Sequence, residues 1–344
     1  MKNKLASLKH HLDQLKIKNI SDAVLADYTT IGIGGKVSLA AIAVSSFQLE
    51  QAVCWSIRME VPYFVIGKGS NLIISDDGFE GVIIINKSKD WHIVENIVPS
   101  DDLSCSKQID KKTIKRKSKK SNKDINTSIV LVSVDSGMQV RSLTNSLYRN
   151  GITGLQWFAG IPASVGGAIY MNMHGGNFFF GDLVNRVLLL SGIEKKIVTR
   201  DYFNFSYDYS ILHKTKEIVL CAELILTKGD VNKAQREGKD WAKQKSFQPQ
   251  RSAGCIFRNL TAGQQQKLNI PTDSTGYVID KLLKLSGTRF GDAVISNRHA
   301  AFIENVGKAK ASDVYKLIQL IQTKAKKELQ IYLELEVQLI GNFE

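Results

Sequence analysis

Apolar residues along the chain follow two periods, and together they predict a mixed order of helices and strands. Leu5, Leu8, Leu12 and Leu15 have helical spacing, so residues 1–24 are predicted to form an N-terminal helix. Further helices are predicted at 46–60, 139–150, 231–244, 276–285 and 311–329. Short apolar runs bounded by turn residues predict strands at 63–66, 72–75, 129–134, 187–190 and 217–227. This irregular order indicates an α+β fold rather than a repeated βαβ unit.

A glycine-rich segment at residues 160–167, Gly-Ile-Pro-Ala-Ser-Val-Gly-Gly, lies between two apolar runs. Glycine permits positive φ angles and a close approach of the backbone to a ligand. Successive N–H groups in such a turn can surround a diphosphate. A purely structural turn is the alternative, and it is the more frequent use of such a segment. The residues that would line a ligand here are Gly160, Ile161, Ser164, Gly166 and Gly167.

A second loop of the same kind separates the two predicted strands at 63–66 and 72–75. It contains Gly67, Gly69, Ser70 and Asn71, whose main-chain and side-chain donors could bind phosphate oxygens. An ordinary β-turn is the alternative. Two such loops in one chain favour a dinucleotide cofactor, although the GxGxxG fingerprint of the Rossmann fold is not present.

Six stretches of the sequence carry a family resemblance. They are IGIGG (31–35), VIGKGSNLIISDDGFEGVII (65–84), GLQWFAGIPASVGGAIYMN (154–172), QPQRSAGCIFRN (248–259), GDAVISNRHAAFIEN (291–305) and LELEVQLIG (333–341). In this order the chain resembles the UDP-N-acetylenolpyruvoylglucosamine reductase family from about residue 25 onward.

The resemblance implies a fold and a division into domains. It implies a two-subdomain FAD-binding fold of the vanillyl-alcohol-oxidase/PCMH type at residues 25–229, with a C-terminal α+β substrate-binding domain at 230–344. The implied activity is reduction of UDP-N-acetylglucosamine enolpyruvate to UDP-N-acetylmuramate in peptidoglycan precursor synthesis. FAD would be the cofactor and NADPH the co-substrate. The expected protein is a cytoplasmic monomer that binds a UDP-sugar and no metal.

Two catalytic residues are implied by the same resemblance. Cys255 follows Ser-Ala-Gly, where the family has its proton donor, which is usually serine. Glu336 directly precedes Val337, where the family has its functional glutamate. Without the resemblance, Cys255 would be read as a packed thiol and Glu336 as a solvated residue of a strand. On such a strand, Glu334 and Glu336 would point to the same face.

One position departs from the family pattern. The family commonly has Tyr-Arg-x-Ser, whereas this chain has Tyr207-Asp208-Tyr209-Ser210. Asp208 therefore stands where an arginine would face the negative charge of the substrate. The missing positive charge could come from another cation, or Asp208 could be protonated or turned away from the substrate. The candidate cations are Lys214, Arg258, Arg289 and Arg298.

Two smaller observations bear on this departure. The stretch after the glycine-rich segment also departs from the family, because it contains Met173-His174. His174 could contact the flavin, or it could be an ordinary structural histidine. The alternative function is an FAD-binding homologue with another substrate or with impaired catalysis.

Composition and charge bear on whether the protein binds nucleic acid or zinc and on whether it enters a membrane. Much of the formal net charge of +13 is concentrated in the lysine-rich residues 107–124, within a predicted disordered insertion at about 98–128. A nucleic-acid-binding arm is the alternative, but this segment lacks interleaved aromatic residues for base stacking.

Four scattered cysteines without a CxxC pair indicate a reduced protein without structural zinc. No apolar run is long enough to span a bilayer, and the N-terminus lacks a secretory signal.

Overall fold

The computed structural model describes residues 1–94 and 129–343 of the chain. The predicted insertion at about 98–128 lies outside the described residues. The described helices are α1 Lys2–Gln14, α2 Ser46–Arg58, α3 Val140–Arg149, α4 Val165–Tyr170, α5 Leu212–Thr215, α6 Val231–Ser246, α7 Ala262–Leu268, α8 Thr275–Tyr277 and α9 Ala311–Lys324. A π-helical turn follows each of the last two, at Val278–Leu282 and Ala325–Leu329.

Strands alternate with these helices. In the first half of the chain they are β1 Lys18–Val24, β2 Lys36–Ala43, β3 Tyr63–Ile66, β4 Leu72–Ile74, β5 Phe79–Asn86, β6 Trp91–Ile93, β7 Ile129–Asp135 and β8 Ile152–Thr153. In the second half they are β9 His174–Gly175, β10 Phe178–Phe179, β11 Val184–Ser191, β12 Glu194–Thr199, β13 Ile218–Lys228, β14 Ser252–Cys255, β15 Arg289–Phe290, β16 Ala293–Ile295, β17 Phe302–Asn305 and β18 Gln338–Ile340.

The chain forms two compact units. Unit 1 comprises Met1–Ile42, Trp55–Ile85 and Lys243–Glu344, and unit 2 comprises Ala43–Cys54 and Asn86–Ala242. The domain limits that the sequence suggests, 25–229 and 230–344, stay a prediction.

Unit 1 is built from three sheets. One has the strand order β1-β2-β5-β3, a second has the order β14-β17-β16-β15, and the third pairs β18 with β4 in parallel. Buried residues of the first and third sheets share a core that includes Val37, Ile74, Ile83 and Ile340. A separate core forms beside α9, where Val314, Leu317 and Ile321 are buried among residues of the second sheet.

Unit 2 contains a single large antiparallel sheet with the strand order β12-β11-β13-β7-β6, to which β8 adds by pairing with β13. Alternate residues of its strands, among them Val132, Val187 and Leu224, face a core shared with helices α3 and α4. Helix α3 begins after Gln139 and ends at Asn150, and Gly151 follows with φ +72°. This helix and its glycine stop agree with the prediction for 139–150.

The predicted N-terminal helix is wrong beyond Gln14. The helical leucine spacing stops at Leu15, and Lys16 has φ +55°, which ends the helix. Residues Lys18–Val24 instead form β1, which pairs antiparallel with β2. A long-range partner therefore decides the structure of this segment, and a local periodicity cannot reveal it.

Candidate active site

The loop at residues 67–71 is fixed in unit 1 by contacts on both sides. Gly69 has φ +64°, and a Cβ atom there would lie 2.0 Å from the carbonyl oxygen of Tyr28. The Gly69 carbonyl accepts a 3.1 Å hydrogen bond from the N–H of Thr30. No described peptide bond is cis. Because N–H and C=O point in opposite directions across a trans peptide, the N–H of Ser70 points away from Thr30.

Cys255 and Glu336 are joined through one residue of the main chain. Cys255 is the last residue of β14, and the carbonyl of Ile256 after it accepts a 2.9 Å hydrogen bond from the N–H of Glu336. Both Cys255 and Glu336 are half-buried. Glu336 precedes β18 rather than lying within it, and Glu334 is exposed. The two glutamates are therefore not neighbours on one face of a strand, as the sequence alone would suggest.

The same strands are tied to the 67–71 loop. The Asn71 side-chain amide donates to the Glu336 carbonyl at 3.1 Å, and the Gln338 N–H donates to the Asn71 carbonyl at 3.0 Å. Gly254 has φ +84°, and the nearest atom to a Cβ added there is the Ser70 carbonyl oxygen at 4.0 Å. Unit 1 therefore brings one predicted cofactor loop and both predicted catalytic residues close together.

The glycine-rich segment at 160–167 belongs to unit 2, and several of its N–H groups are used within the protein. The N–H of Gly166 donates to the Ser136 carbonyl at 2.7 Å, and the N–H of Gly167 donates to the Ser164 hydroxyl at 3.3 Å. A Cβ at Gly166 would lie 3.0 Å from the Cβ of Ser136. These two glycines permit close packing, so their contribution to a ligand would be space rather than N–H donors.

Asp208 has an imidazole partner in unit 2. Its Oδ1 lies 3.0 Å from Nδ1 of His174, and the Asp208 side chain is 4% exposed whereas that of His174 is 32% exposed. The His174 ring also packs against Tyr207, with ring centroids 5.0 Å apart. Arg289 and Arg298, which the sequence offered as compensating cations, bind acidic partners of their own, Asp292 and Glu304 respectively.

Two further titratable groups, one in each unit, have pKa values that burial shifts. Burial lowers the pKa of His299, whose Nδ1 accepts a hydrogen bond from the N–H of Ala301 at 3.3 Å. Burial raises the pKa of Cys221 in β13 to about 11, with further contributions from the nearby Asp135 and Glu223 carboxylates. The Cys221 thiol is therefore a poor nucleophile at neutral pH.

Known proteins match nearly the whole chain. A family model for the UDP-N-acetylenolpyruvoylglucosamine reductase C-terminal domain matches residues 247–340. A UDP-N-acetylenolpyruvoylglucosamine reductase of Bacillus pumilus (strain SAFR-032) is 30% identical over 98% of this chain and 99% of its own length. The chain belongs to this reductase family, MurB. A MurB-family relative from Lactobacillus johnsonii is 33% identical over 92% of this chain and 93% of its own length.

A solved MurB structure confirms the predicted α+β fold of the family. The crystal structure of the MurB enzyme from Thermus caldophilus superposes with a TM-score of 0.68 at 27% identity, covering 94% of this chain and 99% of that chain. This chain is thus a homologue of the MurB-family oxidoreductases. No helix in residues 1–94 or 129–343 is long and apolar enough to cross a membrane.

The contact between His174 and Asp208 was not predicted from the sequence. Residue types in the MurB pattern point to Cys255, Glu336 and the two loops, and their roles stay predictions. The pairing of His174 with Asp208 could not be read from either residue alone, because 34 positions separate them. The available signal was that both positions depart from the family pattern in one chain. Within the described residues no cluster of His, Cys, Asp and Glu could hold a metal ion.

Proposed function

We propose that this protein is an FAD-dependent reductase that uses NADPH to convert UDP-N-acetylglucosamine enolpyruvate into UDP-N-acetylmuramate. The observation that carries the proposal is the joining of Cys255 to Glu336 through the Ile256 carbonyl, beside the 67–71 loop. The match over 98% of the chain to a curated reductase supports it. A proton donor, an acid and a cofactor loop are the parts that such a reduction needs.

The residues of the two glycine-containing loops suit a flavin dinucleotide. In unit 1 the Ser70 N–H, which points away from Thr30, is an expected donor, and Gly67, Gly69 and Asn71 are the other expected contacts. In unit 2 the expected contacts are Gly160, Ile161, Ser164, Gly166 and Gly167, where the small residues allow close approach. Bound FAD supplies hydride transfer from the nicotinamide to the substrate.

Cys255 is the proposed proton donor. Hydride addition to the methylene carbon of the enolpyruvyl group breaks the carbon–carbon π bond and leaves negative charge on the adjacent carbon and its carboxyl group. That adjacent carbon must then receive a proton. An ordinary cysteine thiol has a pKa of about 8.5 and is mostly protonated at neutral pH, so it can donate one.

Glu336 is the proposed acid at the carboxyl end of the substrate. Its main-chain N–H and carbonyl are fixed by Ile256 and Asn71, which limits the positions that its side chain can reach. A hydrogen bond from a protonated Glu336 would stabilise the enolate or carboxyl oxygens. Preorganised donors of this kind act mainly on the transition state.

A second candidate function follows from Asp208. With an acidic residue at the family's arginine position, the chain could be a flavin-binding homologue that reduces another acceptor or has lost activity. An anion near developing negative charge opposes the MurB reaction. The buried Asp208 carboxylate is the observation that favours this alternative.

A two-step stopped-flow measurement tests the proposal. The protein is first reduced anaerobically with NADPH and is then mixed with UDP-N-acetylglucosamine enolpyruvate, while flavin absorbance is followed. Rapid reoxidation with formation of UDP-N-acetylmuramate is the expected result. A flavin that is reduced but stays reduced would support a different acceptor, and a purified protein that binds no FAD would reject the flavoenzyme assignment.

A further inference from the structure

The His174–Asp208 pair has the geometry of an oriented imidazole. Asp208 is almost wholly buried, and its Oδ1 lies 3.0 Å from Nδ1 of His174. An ionised carboxylate only accepts hydrogen bonds, so Nδ1 is the donor in this pair. The other ring nitrogen, Nε2, is then the atom that a ligand can meet, and the ring is about one-third exposed.

The backbone holds the two residues together from both sides. Asp208 lies in a tight turn with φ +47°, closed by mutual main-chain hydrogen bonds between Ser206 and Tyr209 of 3.2 and 3.3 Å. The Asn172 side chain donates to the Ser206 carbonyl at 2.8 Å and accepts from the N–H of Gly181 at 2.9 Å. The segment that carries His174 is thus bonded directly to the turn that carries Asp208.

A further contact fixes the other end of the turn. The hydroxyl of Ser210 donates to the carbonyl of Tyr170 at 2.7 Å, two residues before Asn172. Side chains locked by such surrounding hydrogen bonds are preorganised, which is what an electrostatic role in catalysis requires.

Charge explains why the two departures from the family pattern would occur together. An arginine offers a permanent cation and N–H donors to an anionic ligand. Asp208 alone would reverse that charge. Asp208 beside His174 does something different, because the buried carboxylate takes the Nδ1 side of the ring at 3.0 Å. Nε2 is the ring nitrogen left for a ligand, and the acidic side chain is buried on the other side of the ring.

We propose that His174, carrying a proton on each ring nitrogen, replaces the arginine of the MurB pattern as the group that stabilises negative charge on the substrate carboxyl, with Asp208 as its positioning residue. This inference rests on the proposed reductase function. A hydride is added to the methylene carbon, and the electron pair of the π bond moves toward the carboxylate. The Nε2–H of His174 donates a hydrogen bond to an oxygen of that carboxylate and keeps its proton. The adjacent carbon then receives a proton from the general acid of the reaction, which completes the product.

Rapid kinetics of His174→Gln test the catalytic part. Glutamine can still form hydrogen bonds but carries no charge. Reoxidation of the NADPH-reduced protein by the enolpyruvyl substrate is expected to slow by about 10²–10³-fold, as for loss of one preorganised stabiliser, while reduction by NADPH is unchanged. The control is His92→Gln, because His92 in β6 is exposed and both of its rates should be unchanged.

A charge exchange separates catalysis from folding. His174→Gly should slow reoxidation as His174→Gln does. Adding Asp208→Arg to His174→Gly restores the family arrangement, and it is expected to recover at least about tenfold in the reoxidation rate. A purely structural pair predicts no recovery, since the exchange abolishes the hydrogen bond between the two side chains.

Product binding gives a readout that does not depend on turnover. UDP-N-acetylmuramate carries a lactyl carboxylate that UDP-N-acetylglucosamine lacks, and calorimetry of both with the oxidised protein measures the contribution of that group. His174→Gln should weaken binding of the first about tenfold, in line with loss of one charge-assisted hydrogen bond, and leave the second unchanged.

The outcomes distinguish the inference from the function on which it rests. Wild-type protein that stays reduced in the presence of the substrate overturns both. Wild-type protein that turns over, with His174→Gln equally fast and binding the product equally well, overturns only the role of His174. Equal rates for His174→Gly and the double variant also reject the charge replacement.

Discussion

The side-chain amide of Asn71 donates a 3.1 Å hydrogen bond to the main-chain carbonyl of Glu336. A second bond joins the same two segments, because the N–H of Gln338 donates to the Asn71 carbonyl at 3.0 Å. Residues that are 265 positions apart in the sequence are thereby held in register. A substitution at Asn71 is therefore expected to affect both the predicted cofactor loop and the position of Glu336.

Asn71→Ala should lower the free energy of unfolding by about 1 kcal/mol, because it removes one side-chain donor from the Glu336 carbonyl. Asn71→Asp is the sharper variant, since it places a carboxylate oxygen where the amide N–H donates. Urea denaturation of both variants measures the effect. Wild-type stability of Asn71→Asp would show that this hydrogen bond has no role in holding the loop.

Gly69→Ala should be far more disruptive than a glycine replacement elsewhere with the same backbone angle. A Cβ at Gly69 would lie 2.0 Å from the Tyr28 carbonyl oxygen, whereas Gly192 has φ +60° with nothing within 4 Å of an added Cβ. Gly192→Ala thus measures the backbone cost alone, about 1 kcal/mol. Thermal unfolding and FAD content are the measurements, and equal losses for the two variants would contradict the observed contact.

Arg186→Met should destabilise unit 2 by roughly 3 kcal/mol, because it leaves the carboxylate of Glu223 buried without its cation. The guanidinium Nε lies 3.2 Å from Glu223 Oε2, and the Glu223 side chain is 0% exposed. The double variant Arg186→Met/Glu223→Met removes both charges and should recover most of the loss. Chemical denaturation of the four proteins gives the coupling energy, and a double variant no better than the single one would contradict a desolvated ion pair.

Stability is expected to fall as the pH drops below about 6.5, partly because of His299. Burial lowers the pKa of this histidine in the folded protein, so the unfolded chain binds its proton more readily. Where the unfolded state binds more protons, stability rises with pH. His299→Asn should therefore flatten the dependence of melting temperature on pH between about 7 and 5. The same slope in the variant and the wild type would show that other groups are responsible.

Cys255→Ala should block the second half of the proposed reaction while NADPH still reduces the flavin, because no proton donor remains at that position. Cys255→Ser should retain turnover, since the hydroxyl can take the same place. Cys221→Ala is the matched control, as the half-buried thiol in β13 has no proposed role. Stopped-flow reoxidation at neutral pH measures all three. Full activity in Cys255→Ala would reject the proton donor.

Local patterns identified most elements because their signals lie within a few residues. The strand predicted at 63–66 is observed with the same bounds, since a short apolar run lies between Pro62 and Gly67. The helix predicted at 46–60 is observed as Ser46–Arg58, and the Ser45 hydroxyl accepts a hydrogen bond from the N–H of Gln48 at its start. The residues that cap or bound such an element are adjacent to it in the sequence, so a local pattern can identify them.

Long-range partners were beyond the reach of those patterns. β1 exists because β2 pairs with it, which a leucine repeat cannot show. At the candidate site, residue types identified Cys255 and Glu336 only through the family resemblance, and the main-chain bond between them had no local signal. The pairing of His174 with Asp208 was hidden for the same reason.

The parallel pairing of β18 with β4 has a consequence for synthesis on the ribosome. β4 ends at Ile74 and β18 begins at Gln338, and the N–H of Ser75 bonds to the Ile340 carbonyl at 2.8 Å. At translation rates of about 5–20 residues per second, β18 is synthesised roughly 13–50 seconds after β4, and the edge of β4 has no partner strand until then. Unit 2, whose segments lie between residues 43 and 242, can complete its sheet well before then. Nascent chains therefore carry an unpaired strand edge for most of their synthesis, and they are the form most exposed to chaperones and to aggregation.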